Sequence, residues 1–137
     1  MGEQFLMGLY VVLQPDVLIY AFMGVLLGQL IGVLPGIGAI TAISLLLPIT
    51  FYLDATTSMI MLAGIYYGSQ YGGSIASILL NLPGTPSSVV TCLAGYPLAQ
   101  NGKAGLALFI TAMSSFFGSM VGVTIVVLAA IPMAYVA

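Results

Sequence analysis

The sequence has very few of the residues that carry most enzyme chemistry and most nucleic-acid binding. Its 137 residues include no histidine, no tryptophan and no arginine, and only 3% are charged. The single cysteine excludes an internal disulfide and a thiolate metal cage. Because a basic patch and an evident general base are both missing, we predict no enzyme activity, no metal site, no cofactor and no nucleic-acid partner.

Apolar residues are what the sequence has in excess. They make up 61% of the chain, whereas soluble domains are close to a quarter charged. The charged residues Glu3, Asp16, Asp54 and Lys103 lie at or near the ends of apolar runs, where a helix would meet a membrane interface. This composition predicts an all-α integral membrane protein, in which hydroxyls, amides, backbone groups and helix ends supply the polar chemistry.

The outer apolar runs predict helices that are simple to assign. Residues 5–13 are too short to span a bilayer and are expected to form an interfacial helix that leads into the chain. Pro15 and Asp16 then favour a helix start before a span over residues 17–34. A second span is predicted over residues 104–131, which are long enough to cross with a tilt.

The middle of the chain is interrupted. Segment 36–53 is cut by Pro48, which leaves about eleven helical residues, too few to cross the bilayer. A re-entrant half-helix is the economical interpretation, and a kinked full span is the alternative. Segment 55–82 is expected to be a helix broken around residues 72–74, and segment 83–103 a polar loop.

Small residues recur every four positions in three segments, so each set forms one face of a helix. The sets are Gly24, Gly28 and Gly32; Gly64, Gly68 and Gly72; and Ser114, Gly118 and Gly122. We expect the first two sets to pack against each other, and we expect Ser114, Ser115 and Thr124 to bond to their own helix backbone. The tyrosines at 66, 67 and 71 fit a cavity wall or an interfacial aromatic belt equally well.

Two Pro-Gly pairs, at residues 35–36 and 83–84, interrupt the apolar sequence. Non-helical backbone at membrane depth is tolerated only where protein buries it or where it lines a wet cavity. A helix start exposes N–H groups that suit a carboxylate, and a helix end presents carbonyls that suit a cation. Broken helices therefore indicate a transporter binding site, although residues 81–88 fit a helix-capping loop as well as a binding element.

Two stretches of the sequence carry a resemblance to a known family. They are GVLPGIGAITAISLLLPIT (32–50) and YYGSQYGGSIASILLNLPGTPSSVVTCLAGYPLAQNGKAGLAL (66–108). Pro-Gly-x-Gly, followed at this spacing by Tyr-Gly-Gly-Ser, Asn-x-Pro-Gly-Thr-Pro and Gly-Tyr-Pro, closely resembles the large membrane subunit of the tripartite tricarboxylate transporters. The similarity extends from about residue 20 onward and identifies the chain as the N-terminal portion of such a permease.

The resemblance implies a multi-pass permease of the bacterial inner membrane. Such a subunit works with a small membrane subunit and a periplasmic solute-binding protein, and takes up tricarboxylates or related carboxylates by secondary transport coupled to Na⁺ or H⁺. The alternative is a small membrane assembly subunit without transport, in which every glycine serves packing. Met1 fits a native start, and because the apolar run IPMAYVA has no charged cap we expect a longer protein.

The resemblance also implies which residues line the substrate pathway. They are Pro35, Gly36, Gly38 and Thr41 of the first motif, and Gly72, Gly73, Ser74, Asn81, Pro83, Gly84, Thr85, Pro86 and Ser87 of the second. One position departs from the family pattern, because Ala94 stands where members commonly have an acidic residue. A coupling or anchoring role for that carboxylate is therefore in doubt for this chain.

Overall fold

The computed structural model describes residues 2–136, and within them only helices and the turns that connect them occur. Met1, expected as the native start, lies outside these residues. The α-helices are α1 (Gly2–Val12), α2 (Pro15–Gly32), α3 (Gly38–Leu46), α4 (Ala55–Leu80), α5 (Val89–Leu98) and α6 (Ala104–Val136). Shorter helical turns adjoin them: 3-10 turns at Leu47–Tyr52 and Pro86–Ser88, and a π-helical turn at Ala99–Lys103.

Two stretches of the described residues are long and apolar enough to cross a membrane. One is α2, and the other runs from Pro86 to Ala129 and includes most of α6. Most of the large apolar side chains on these helices are exposed rather than packed inside the chain, as expected where lipid or further protein covers them. The predicted class, an all-α integral membrane protein, is confirmed.

The starts of α2 and α4 follow from local chemistry. Pro15 occupies the first turn of α2, where its missing N–H costs nothing, and Asp16 complements the positive end of the helix. The carboxylate of Asp54 caps α4 by accepting the backbone N–H groups of Thr56 and Thr57, both at 3.1 Å. Hydrogen bonds from the side chain and backbone of Thr57 lower the pKa of Asp54, so the cap remains ionised near neutral pH.

The central contact of the fold is the one between α2 and α4, whose glycines pack face to face as predicted. A Cβ placed on any of the six glycines in the two sets would meet a backbone carbonyl oxygen of the other helix. Gly24 faces Met61 and Gly32 faces Ser69, so residue numbers rise together along the contact. The two helices therefore run parallel, with their backbones in direct contact.

The parallel arrangement determines what the connecting segment must do. Because α2 and α4 point the same way, residues 33–54 have to bring the chain back to the end at which α2 began. Within this segment α3 packs Ala42 and Leu46 against Met61 and Ile65 of α4, which forms the apolar core of the described chain. The segment thus returns along the full length of α2.

The returning segment is a kinked crossing rather than a re-entrant half-helix. Nine α-helical residues and six 3-10 residues extend roughly 25 Å, close to the roughly 27 Å of the 18-residue α2. Pro48 lies in the first turn of the 3-10 helix. The chain winds more tightly there but remains helical. Ser58 then donates to the carbonyl oxygen of Thr50 at 3.0 Å, which ties the crossing to α4. The re-entrant interpretation is therefore wrong.

The expected break inside α4 is also wrong, because the helix is continuous to Leu80. Gly72 packs against the backbone of Gln29, and Gly73 packs against Gly84. These contacts offset the loss of about 1 kcal/mol that each helical glycine carries relative to alanine. The helix ends instead at Asn81, which adopts the left-handed conformation (φ 58°, ψ 27°) that asparagine tolerates at a helix C-terminus.

The segment 83–103, expected as a polar loop, is mostly helical. After α4 the chain folds back alongside it, and a helix begins again at Pro86. Short hydroxyl side chains form hydrogen bonds with backbone groups of the first turn. The residues that follow are apolar enough to pack against α4, with Gly95 against Ile78. The next break is at Gly102, where φ of +76° ends the helical path before α6.

Among the residues whose side chains the structure describes, helix α6 contacts α4 near its own start, and most of its later side chains are exposed. The Tyr71 hydroxyl donates to the carbonyl oxygen of Leu108 at 3.3 Å. A methyl group added at Gly118 or Gly122, from the third small-residue set, would have no described atom within 4 Å. Unlike the other two sets, this one does not bring two described helices together, and a cavity opens between α4 and α6.

Replacing a glycine of the α2–α4 contact by alanine should destabilise the protein. In Gly68→Ala the new methyl group meets the carbonyl oxygen of Val25, so the helices must separate, at a cost of about 1–3 kcal/mol. Gly105→Ala is the matched control, because no atom lies within 4 Å of its Cβ position. Thermal unfolding of the detergent-solubilised full-length protein measures both, and equal melting temperatures would contradict the packing described.

The kinked crossing predicts on which side of the membrane the two ends of α2 and the start of α4 lie. In a full-length protein with native cysteines replaced, Gln14→Cys and Ala55→Cys should react with an impermeant maleimide from the same side. Pro35→Cys should react from the other side, because α2 separates it from Gln14. A re-entrant segment would instead place Ala55 with Pro35, so labelling of intact cells against inverted vesicles distinguishes the two topologies.

Candidate functional site

A polar cavity of about 380 Å³ lies between α4, α6 and the helical turn that precedes α5. Its volume falls within the range of about 300–1,000 Å³ that is typical of small-molecule sites. The lining is Tyr66, Tyr67, Gln70, Tyr71 and Ser74 of α4, Ser87 and Ser88 before α5, and Ser115, Gly118 and Ser119 of α6. Most of these residues carry a hydroxyl group, and none is charged.

The α4 side of the cavity is one face of a helix, since its residues are spaced three or four apart. The Ser74 hydroxyl donates to the carbonyl oxygen of Gln70 at 3.3 Å, and the Tyr71 hydroxyl donates to that of Leu108. The tyrosines thus form a cavity wall, which was one of the two roles open from the sequence.

Glycines allow the two Pro-Gly motifs to meet next to this cavity. A Cβ on Gly84 would lie 2.6 Å from the Cα of Gly73 and 3.1 Å from the carbonyl oxygen of Gly32. A Cβ on Gly38 would lie 3.8 Å from the carbonyl oxygen of Gly84. Because a side chain at Gly84 would prevent its approach to Gly73, glycine at this position lets the chain return along α4 and begin a new helix at the cavity wall.

The start of that new helix is held by its own hydroxyl groups. The backbone N–H of Thr85 donates to Ser88 Oγ at 3.1 Å, and Ser88 Oγ donates to the carbonyl oxygen of Thr85 at 2.8 Å. Thr85 Oγ1 and Ser87 Oγ are 3.0 Å apart. Thr85 and Ser88 are buried and Ser87 is exposed, so a rigid first turn, with its partial positive charge, borders the cavity.

The predicted site residues fall into three groups. Only Ser74 and Ser87 line the cavity. Buried residues that support it by packing or capping are Gly72, Gly73, Gly84 and Thr85, together with the half-buried Gly38. Exposed residues outside the lining are Pro35, Gly36, Thr41, Asn81, Pro83 and Pro86. The two motifs are therefore brought together through glycine backbone, and few of their side chains face the cavity.

Several lining residues were missed by sequence reasoning. Gln70 precedes Ser74 by four positions, and Ser115 precedes Ser119 by four, so each pair shares a helix face. A spacing of four positions between polar residues in apolar helices is the sequence pattern that would have predicted these lining residues. Thr124 does bond to its own helix, donating to Met120 at 2.8 Å, as expected, whereas Ser115 faces the cavity.

The site has no fixed positive charge in the described part of the chain. Lys103 is exposed in the π-helical turn, outside the lining. No group of three or more His, Cys, Asp or Glu side chains gathers among residues 2–136 in a way that could hold a metal ion. Ala94, the position where the family pattern has an acid, is exposed on α5 and also lies outside the lining.

The polar cavity adjoins a larger apolar groove of about 720 Å³ between α4 and α6. Tyr67, Tyr71, Ser115 and Ser119 border both spaces. The remaining groove residues are Ala112, Phe116, Met120, Val123 and Thr124. A polar pocket that continues into an apolar groove between two helices gives the site one hydrogen-bonding end and one end suited to hydrocarbon.

Apolar helices joined by Pro-Gly turns, with a cavity lined mostly by hydroxyl side chains between them, fit a membrane transport protein. The chain belongs to the tripartite tricarboxylate transporter TctA family, whose model matches residues 18–137. It is therefore a membrane component of a transporter family.

One curated relative shares most of this chain. It is the "Uncharacterized 52.8 kDa protein in TAR-I ttuC' 3'region" of Agrobacterium vitis, 52% identical over 131 residues. The match covers 96% of this chain but 26% of the relative, so the chain spans about a quarter of that protein's length. No solved structure matches the chain.

Removing the Ser88 hydroxyl should destabilise the turn that borders the cavity. Ser88→Ala leaves the buried N–H of Thr85 without its hydroxyl partner, at a cost of about 1–3 kcal/mol. Ser44→Ala is the control, since Ser44 is an exposed helical serine that donates to the Ile40 carbonyl. Thermal unfolding of the full-length protein should show a lower midpoint for Ser88→Ala alone; a larger loss in Ser44→Ala would contradict this description.

Proposed function

We propose that this chain is part of a multi-pass permease subunit in a bacterial inner membrane, which takes up tricarboxylates or related carboxylates by secondary transport. Its partners would be a small membrane subunit and a periplasmic solute-binding protein of the same system. Family membership supports this assignment, and so does a polar cavity between apolar helices.

The observation that carries the proposal is the hydroxyl-lined cavity at the start of a helix. Ser87 and Ser88 stand at the positive end of that helix, and Ser115 and Ser119 face them from α6. Each contact between a carboxylate and such a helix end contributes about 0.3–1 kcal/mol, so several donors must converge to hold an acid. Binding by neutral donors also leaves the substrate free to dissociate, as transport requires.

Coupling to Na⁺ or H⁺ is part of the same proposal. A carboxylate that leaves water for an uncharged cavity pays a large desolvation penalty unless its charge is compensated. A co-transported Na⁺ or a proton on the substrate would compensate this charge, since Lys103 is exposed outside the cavity lining. The coupling ion would then reduce the cost of binding and also supply the driving gradient.

Proteoliposomes that contain the full-length protein, its small membrane subunit and its binding protein test this function. We expect citrate uptake that requires an imposed Na⁺ or H⁺ gradient, the two gradients being applied separately. Combining Ser74→Ala, Ser87→Ala and Ser119→Ala removes three cavity hydroxyls and should reduce uptake by about tenfold or more. Ser44→Ala, outside the cavity, should leave uptake unchanged.

Two outcomes would contradict the proposal in different ways. Unchanged uptake in the triple variant would show that the cavity between α4 and α6 is not the substrate site. Absence of gradient-driven uptake of any tested carboxylate by the wild-type assembly would favour the assembly subunit without transport.

A further inference from the structure

The sequence contains two asparagines, Asn81 after α4 and Asn101 in the π-helical turn after α5, and only Asn101 is followed by a glycine. Asn101, Gly102 and Lys103 are all exposed. Because a charged side chain is costly to place in hydrocarbon, Lys103 indicates that this turn faces water. The Asn-Gly pair is therefore accessible to solvent, and the proposed transport function gives it no role.

The backbone at this pair is not helical. Asn101 has φ −79° and ψ 15°, and Gly102 has φ +76° and ψ 9°. In a continuous helix the hydrogen-bonded ladder holds each backbone nitrogen away from the side chain of the residue before it. At the break this constraint is absent, and glycine can rotate with little steric resistance. A Cβ built on Gly102 would have no described atom within 4 Å, so the space for such a rotation is also present.

An exposed Asn-Gly pair with a mobile backbone nitrogen suits intramolecular deamidation. The Gly102 nitrogen attacks the side-chain carbonyl carbon Cγ of Asn101 and forms a C–N bond, and the side-chain amide nitrogen leaves as ammonia with the proton that the Gly102 nitrogen loses. The product is a cyclic imide. Water then adds to one of its two carbonyl carbons and breaks the bond from that carbon to nitrogen. Attack at Cγ gives aspartate, and attack at the backbone carbon gives isoaspartate, so water is the only co-reactant.

Asn81 is an internal comparison, because it is exposed as well but has a different neighbour. Its backbone is left-handed (φ 58°, ψ 27°), and the next residue is Leu82. The branched side chain of Leu82 hinders the approach of its own backbone nitrogen to the Asn81 side chain. Leu82 also precedes Pro83, which restricts it to extended backbone conformations. The nitrogen after Asn81 is therefore poorly placed for the attack that Gly102 can make.

We propose that Asn101 is a site of spontaneous deamidation through a cyclic imide formed with the backbone nitrogen of Gly102. The new carboxylate lies beside Lys103, the single basic residue of the sequence, and adds one negative charge to a chain whose net charge is −2. In the isoaspartate product the main chain also passes through the former side chain, which lengthens the turn between α5 and α6. The inference does not depend on the proposed transport function.

The test follows both asparagines in the purified, detergent-solubilised full-length protein. Samples taken during incubation at mildly alkaline pH are digested with chymotrypsin and analysed by mass spectrometry, which detects the replacement of an amide by an acid. An isoaspartate-specific methyltransferase identifies the isomer. We expect Asn101 to convert at least about tenfold faster than Asn81, because the nitrogen of glycine is the less hindered one, and we expect isoaspartate to form together with aspartate.

A variant and the product pattern complete the test. Asn101→Gln lengthens the side chain by one carbon, so the imide would need a larger ring, and conversion at this position should be lost. Equal conversion of the two wild-type asparagines, or conversion of neither, overturns the proposal. Aspartate at position 101 without isoaspartate also overturns it, since direct hydrolysis of the side chain gives aspartate alone.

Discussion

The close approach of α2 and α4 is the contact on which the rest of the structure depends. Six glycines, three from each helix, remove every side chain that would hold the two backbones apart. Between two helices in a membrane the hydrophobic effect gives no net driving force. Close van der Waals packing of the two backbones must therefore stabilise the contact. Because the pair is parallel, residues 33–54 must run back to the end at which α2 began, and both Pro-Gly turns lie at the other end of the described chain.

The candidate site depends on that contact between α2 and α4. Gly32 ends α2 at the point where Gly84 packs against Gly73, so the end of one helix supports the turn from which another begins. Because the backbone needs this space, the glycines of the motifs let the turns meet beside the cavity, and neighbouring hydroxyl side chains line it. Most of the side chains that line the candidate site therefore come from residues beside the motifs and not from the motifs themselves.

The sequence predicted those features that depend on local pattern. The helix start at Pro15, the pairing of two glycine faces and the membrane class all follow from residue type and spacing. It could not predict the relative direction of α2 and α4, since a glycine repeat packs equally well in either sense. It also failed at Gly72 and Gly73, where tertiary contacts override helix propensity, and at Ser115, whose orientation depends on where α6 crosses α4.

Helices α4 and α6, which border the cavity, are packed to different extents within the described residues. On one side, α4 is fixed to α2 along its glycine face, and any shift between them would break backbone contacts. On the other side, α6 meets α4 chiefly near Leu108, and Gly118 and Gly122 touch no described atom. Within residues 2–136, the glycine contacts thus fix the wall that carries Tyr71 and Ser74, whereas Gly118 and Gly122 on the facing helix are left for atoms outside the described residues to contact.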